Sequence, residues 1–95
     1  MRSLRRVLEL RAQLNEAIRR FFRERGFLEV ETPVVLPANA PEATIDAVPA
    51  GAGWLRTSPE LHMKRLLAAG CENIFQLGPC GRDGEHGRWH HPEFT

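Results

Sequence analysis

The chain is short of cysteine, of long apolar runs and of repeated units, and each shortage removes a class of protein. Only two cysteines, Cys71 and Cys80, occur in 95 residues. Without an apolar signal segment before them, they read as unpaired thiols of a reducing compartment. No stretch approaches the ~20 apolar residues that a membrane-spanning helix needs, and the N-terminus lacks the apolar centre of a secretory signal. An arginine-rich amphipathic start suits a mitochondrial presequence, but Glu9, Glu16 and Glu24 are acidic interruptions that such segments avoid. The expectation is a cytoplasmic protein. Cys71, Cys80, His86, His90 and His91 are residue types that bind zinc, yet no C-x2-C pair brings the cysteines together, and no metal site is expected from them. Neither cysteine has a base beside it in sequence, so both read as packed or idle thiols rather than nucleophiles. Internal repeats and low-complexity tracts are absent as well.

What is present fits one modest core. A chain of this length with 42% hydrophobic residues makes one domain and not two, and a domain of that size buries roughly 60 to 65% of the surface its unfolded chain exposes. The formal net charge of +1 hides a division. Residues 1 to 25 hold eight arginines against three glutamates, or +5, while the rest holds five basic against nine acidic residues, or −4. A basic segment of this kind steers an acidic macromolecule, RNA or protein, toward the chain. A solvated helix side is the favoured explanation, because Arg5/Glu9 and Arg20/Glu24 stand at the i,i+4 spacing that stabilises a lone helix.

Leu4, Val7, Leu8, Leu14, Ala17, Ile18, Phe21 and Phe22 recur at three- and four-residue steps, the stripe of an amphipathic helix. Gly26 closes that helix, since glycine takes the left-handed conformation without a Cβ penalty. Phe27 to Leu36 alternates apolar residues with Glu29 and Glu31 and predicts a strand. Pro33 cannot donate to a ladder, so the strand ends there, runs along an edge or meets a partner chain. Pro37, Pro41, Pro49, Gly51 and Gly53 mark residues 37 to 53 as a mobile loop. Trp54 to Thr57 predicts a short strand. Ser58-Pro59-Glu60 then has the chemistry of a helix start, a hydroxyl to cap a free N–H and proline at the first helical position. This second helix runs to about Ala69 and stops at Gly70, with Met63, Leu66 and Leu67 on its apolar side. Asn73 to Leu77 predicts a strand, residues 78 to 87 a glycine-rich loop, and Arg88 to Thr95 a final strand.

The richest chemistry lies in Gly81 to Phe94, where two arginines, two aromatics and three histidines sit on a strand, a turn and a return strand. Arginine offers planar bidentate donors to a phosphate and an aromatic ring offers a platform to a purine, so the combination suits a nucleotide. A solvated glycine-rich turn has similar composition. A resemblance adds to this reading. Residues 25 to 36, beginning Arg25-Gly26-Phe27-Leu28-Glu29-Val30-Glu31-Thr32-Pro33, look like motif 1 of the class II aminoacyl-tRNA synthetases, a helix and strand with a fixed proline that builds a dimer interface. Thr57-Ser58-Pro59-Glu60-Leu61-His62-Met63-Lys64-Arg65-Leu66-Leu67 resembles the stretch leading into motif 2. Residues 75 to 95, closing on His90-His91-Pro92-Glu93-Phe94-Thr95, resemble motif 2 of the lysine-type enzymes. Within that group the wording of Ser58 to Leu67, Ala69-Gly70-Cys71 and Gly87-Arg88-Trp89-His90 is similar to the ligases that attach β-lysine to elongation factor P.

The resemblance implies an α+β fold, part of a class II synthetase catalytic domain with an antiparallel sheet flanked by helices, and a homodimer formed through motif 1. It implies ATP and magnesium as cofactors, lysine or β-lysine as substrate, and elongation factor P or a lysine tRNA as acceptor. Arg82 resembles the catalytic arginine that binds the α-phosphate and the carbonyl being activated. Asp83, Gly84 and His91 fall at ATP-contacting positions, and Phe94 resembles the aromatic that stacks on adenine. Ser58, Pro59 and Glu60 resemble the segment that holds the amino acid, with Glu60 as counter-ion to its ammonium group. A purely structural Glu60 also fits, because a carboxylate on the first turn is favoured by the helix dipole. The sequence departs from the pattern at Gly81-Arg82-Asp83-Gly84, where the family reads F-R-N-E, and at Gly78-Pro79-Cys80, where the family carries an arginine. The family's metal-binding acids and its arginine-bearing motif 3 have no counterpart here, which implies that these 95 residues would not activate an amino acid alone. A synthetase-like interaction module without catalysis is the other expectation.

Overall fold

A computed structural model describes residues 2–37, 47–83 and 93–95, and the account that follows concerns those residues. The amphipathic stripe forms α1, Arg2–Glu24. Gly26 adopts φ 79°, and the Phe27 and Gly26 amides donate to Phe22 O (2.9 Å) and Arg23 O (3.0 Å), so a left-handed glycine lets the carbonyls of the last turn find partners. Phe27 then lies against Phe22, ring centroids 5.2 Å apart, the apolar contact that accompanies this kind of helix stop. The second helix, α2 at Glu60–Ala68, ends by the same device: Gly70 at φ 102°, with Gly70 N–H donating to Leu67 O and Cys71 N–H to Leu66 O.

The strands are short: β1 Leu28–Glu29, β2 Val35–Leu36, β3 Pro49–Ala50, β4 Gly53–Leu55, β5 Ile74–Phe75, β6 Cys80–Gly81 and β7 Glu93–Phe94. They make three small sheets: a parallel pair β1–β5, an antiparallel β2–β4–β3, and an antiparallel pair β6–β7. The α+β character stands, and antiparallel pairing holds in two sheets, but the first is parallel, with Leu28 opposite Ile74 and Glu29 opposite Phe75. The single strand expected from Phe27 to Leu36 is two strands in different sheets. The break spans Val30 to Val34 and contains Pro33, the residue that cannot donate to a ladder. Within the loop expected from 37 to 53, Pro49–Ala50 pairs with β4, while residues 38–46 lie outside the described set. The glycine-rich stretch after Leu77 contains β6 as well, and of the expected final strand Glu93–Phe94 is the described part.

Helix α1 docks on the parallel pair through Phe22, whose ring stacks on Phe75 at 4.7 Å. Arg19 adds an ion pair to Glu29 at 3.0 Å. The buried apolar residues are few, namely Leu36, Ile74, Phe75 and Cys80, and they are joined by three buried polar ones, Thr32, Arg56 and Thr57. Both cysteines are free thiols, Cys80 buried and Cys71 partly so. Leu4, Val7, Leu8 and Leu14 on α1 remain about half exposed or more. Among the described residues no helix is long and apolar enough to cross a membrane.

Candidate functional site

A cavity of about 710 Å³ opens between α1 and the sheet connections, within the size range of small-molecule sites. One wall is a single face of α1, with Arg11, Leu14, Asn15 and Ile18 at the i, i+3, i+4 and i+7 positions of a helix. The other walls come from Thr57–Pro59 before α2, from Gln76–Gly78 after β5, and from Cys80, Arg82, Phe94 and Thr95 of the last sheet and its flanks. Two guanidiniums and no acidic side chain line it among the described residues.

Strand pairing explains how Arg82 and Phe94 meet. Phe94 sits opposite Cys80, two residues before Arg82, and side chains two apart along a strand share a face, so ring and guanidinium are diagonal neighbours. The Arg82 guanidinium carbon lies 4.9 Å from the centre of the Phe94 ring, and its Nε donates to Thr57 O at 3.3 Å. Both side chains are half-buried. A ring and a cation presented together can accept a planar base on one and an anion on the other.

Ser58 and Pro59 share this cavity with them. The start of α2 differs by one position from expectation: Pro59 is the capping residue rather than the first helical one, and it has no side chain able to cap. Ser58 Oγ does the work from one residue earlier, accepting the Glu60 N–H at 3.1 Å. Glu60 does not join the cavity lining. Its side chain is 59% exposed and pairs with Lys64 at 2.8 Å, one turn along α2. The hydrogen bond from Lys64, and then its charge, hold the Glu60 carboxyl below the usual carboxylate range. Asp83 is exposed and is not among the lining residues. Gly84 and His91 lie outside the described residues.

Arg56 and Thr57 carry a role that the sequence pattern hid. Arg56, 2% exposed, donates from Nε to Pro79 O (2.9 Å) and from Nη1 to Thr32 O (2.9 Å) and Thr32 Oγ1 (3.1 Å). The Gln76 amide completes the set when its oxygen faces the guanidinium, at 2.7 Å from Nη1 and 3.2 Å from Nη2, with its nitrogen donating to Thr32 Oγ1 at 2.8 Å. The reverse orientation sets amine donors against guanidinium donors, so the first is adopted on electrostatic grounds. A buried cation with only neutral acceptors binds the segment before β2 to the segment between β5 and β6. Gly78 leaves room for it, since a Cβ there would strike Arg56 Nη2. The backbone of Arg56 extends the tie: its N–H donates to Val34 O and its carbonyl accepts from Gly81 N–H at 2.9 Å. Thr57, next along, is 2% exposed, and its Oγ1 has no hydrogen-bond partner among the described residues. The only sequence signal for this junction is a charge within the apolar run Trp54-Leu55-Arg56-Thr57, and such a charge ordinarily turns to solvent.

Among the described residues no group of three His, Cys, Asp or Glu side chains could hold a metal ion. His86 and His90, which stand at H-x3-H spacing in the sequence, lie outside the described residues. Compared with protein families, residues 1–95, the whole chain, match the family described as tRNA synthetases class II (D, K and N).

Proposed function

The chain belongs to the class II tRNA synthetase (D, K and N) family, of aminoacylation-related ligases, and on that premise we propose that it is part of an ATP-dependent ligase that activates lysine or β-lysine as an adenylate and transfers it to elongation factor P. The observation that carries the reading is the pairing of Arg82 with Phe94 in a cavity lined by two arginines, with Ser58 and Pro59 on the same surface. The ring takes the adenine. The Arg82 guanidinium takes the α-phosphate, where a carboxylate oxygen of the amino acid forms a bond to phosphorus as the bond to the pyrophosphate oxygen breaks. Negative charge gathers on the phosphorus oxygens in that transition state, and a guanidinium already in position stabilises it more than the ground state.

Transfer then joins the acyl carbon to an amine of the protein acceptor and releases AMP. The wording of Ser58 to Leu67 and of Gly87 to His90 supports elongation factor P as the acceptor; a lysine tRNA is the alternative, and the basic α1 supports it. Ser58 and Pro59 hold the amino acid, while Glu60 reaches its ammonium group only after leaving Lys64. ATP comes with magnesium, for which the described residues provide no cluster. The reaction runs in the cytoplasm and in a homodimer, a state supported by the exposed apolar residues of motif 1 and its helix, Val34, Val35, Leu4 and Val7. A non-catalytic interaction module draws on the same exposed stripe.

ATP-dependent thermal stabilisation separates the two readings. With ATP at 100 times its dissociation constant the wild-type chain gains about 2.7 kcal/mol, and Arg82→Ala abolishes the gain. A chain whose melting temperature ignores ATP is the interaction module instead.

A further inference from the structure

We propose that Arg11, on α1, is a second anion-binding residue of the cavity, and that it holds the polyphosphate end of the ligand together with Arg82. The proposal rests on the nucleotide reading above and extends it to a helix with no assigned part in the site. Most described arginines of α1 are ion-paired, and of the two that are not, Arg11 and Arg23, Arg11 lines the cavity. Arg5 and Arg6 pair with Glu9, Arg20 with Glu16 and Arg19 with Glu29. Arg11 has no carboxylate within ion-pair distance among the described residues. Its one hydrogen bond is a long one, 3.3 Å from Nη2 to Thr95 Oγ1, which a phosphate oxygen displaces readily because an ionised acceptor bonds a guanidinium about twice as strongly as a neutral one.

Helix geometry puts Arg11 at the site. It occupies the first position of the i, i+3, i+4, i+7 face that lines the cavity, with Asn15 one turn on as a further donor. Arg11 and Arg82 line the same cavity, so an anion lying between them would be near both guanidiniums. The cavity volume of about 710 Å³ leaves room for a base on Phe94 and a phosphate chain beyond it.

The test uses the 95-residue chain with three probes, ATP, inorganic tripolyphosphate and adenosine, titrated by calorimetry into the wild type, Arg11→Ala, Arg11→Lys and, as a charge control, Arg23→Ala. Circular dichroism checks that each variant keeps its helix content. Arg11→Ala weakens ATP and tripolyphosphate about tenfold or more, the loss of one charge-assisted contact, and leaves adenosine unchanged. Arg11→Lys recovers part of the loss, and Arg23→Ala matches the wild type. Equal binding by wild type and Arg11→Ala overturns the proposal while leaving the nucleotide reading intact. Equal weakening by Arg23→Ala overturns it too, since the effect would then be the general charge of the helix. Tripolyphosphate binding that depends on Arg11 with no preference for ATP supports the anion site and sinks the nucleotide reading. No anion binding by the wild type overturns both.

Discussion

The junction around Arg56 and the cavity face around Arg82 meet across one backbone hydrogen bond, Gly81 N–H to Arg56 O at 2.9 Å, yet they use the same guanidinium differently. At the junction the group is buried, and its donors are taken up by Thr32, Pro79 and Gln76. At the cavity it is half-buried, with a 3.3 Å bond to Thr57 O and an aromatic ring beside it. Burial with satisfied donors makes an arginine part of the framework. Partial exposure beside a ring in a concave surface makes one available to a ligand. Because the junction ties down Gln76 and the segment through Pro79 that border the cavity, the framework arginine sets the walls within which the other works.

Substitution at the two positions breaks this comparison most sharply. Arg56→Ala strands the buried Thr32 carbonyl and loses several charge-assisted hydrogen bonds, so urea denaturation should show a loss of about 3 kcal/mol or more, enough to unfold a marginal chain. Arg82→Ala should cost less stability than Arg56→Ala in the same assay, because the contacts it removes, the bond to Thr57 O and the Phe94 ring among them, are part-exposed. If both lose the same stability, Arg82 belongs to the framework as well. An effect smaller than that of Arg56→Ala is expected at Gly78, where the methyl of an alanine meets the pinned Arg56 guanidinium. Overpacking of that kind costs about 1–3 kcal/mol, and the denaturation midpoint of Gly78→Ala measures it.

Thr57 sharpens the comparison from the other side. Its Oγ1 is buried with no partner among the described residues, so Thr57→Val removes that hydroxyl at nearly constant volume and should stabilise the fold by up to about 1 kcal/mol in a thermal melt. A loss of stability would show that the hydroxyl is bonded after all. The smallest effect belongs to Glu60. Lys64 depresses its carboxyl, so the pair contributes stability above the ordinary glutamate range, and the contribution fades as pH falls through the lowered folded value. The exposure of both side chains keeps it small. Glu60→Gln should therefore lower stability slightly at neutral pH and flatten the acid limb of a pH titration, and an unchanged acid limb would remove Lys64 as the cause.

Features written in local pattern were legible before the fold was seen. The stripe of α1, its stop at Gly26, the start of α2 near Ser58 and its stop at Gly70 each follow from spacing or from one residue's backbone freedom. The meeting of Arg82 and Phe94 was legible as a strand, a turn and a return strand. The pairing of β1 with β5 depends on contacts between distant segments, which no local pattern encodes. Arg56 shows the limit most clearly: a charge in an apolar run reads as solvent-facing, and only the arrival of Thr32, Gln76 and Pro79 from elsewhere in the chain makes its burial tolerable. Arg11 was legible as one arginine among the eight of residues 1 to 25. That it faces the cavity follows from the docking of Phe22 on Phe75, a tertiary fact.

The central claim is that a nucleotide lies on Phe94 with its phosphate against Arg82. Nuclear magnetic resonance tests it at those two residues, by following the Phe94 ring protons and the Arg82 Nε–H signal while ATP is added. The account predicts that both signals shift together and saturate at one ATP per chain, with the ring protons moved by a stacked purine. Saturation at other residues while these two stay still, or no shift anywhere, would contradict it.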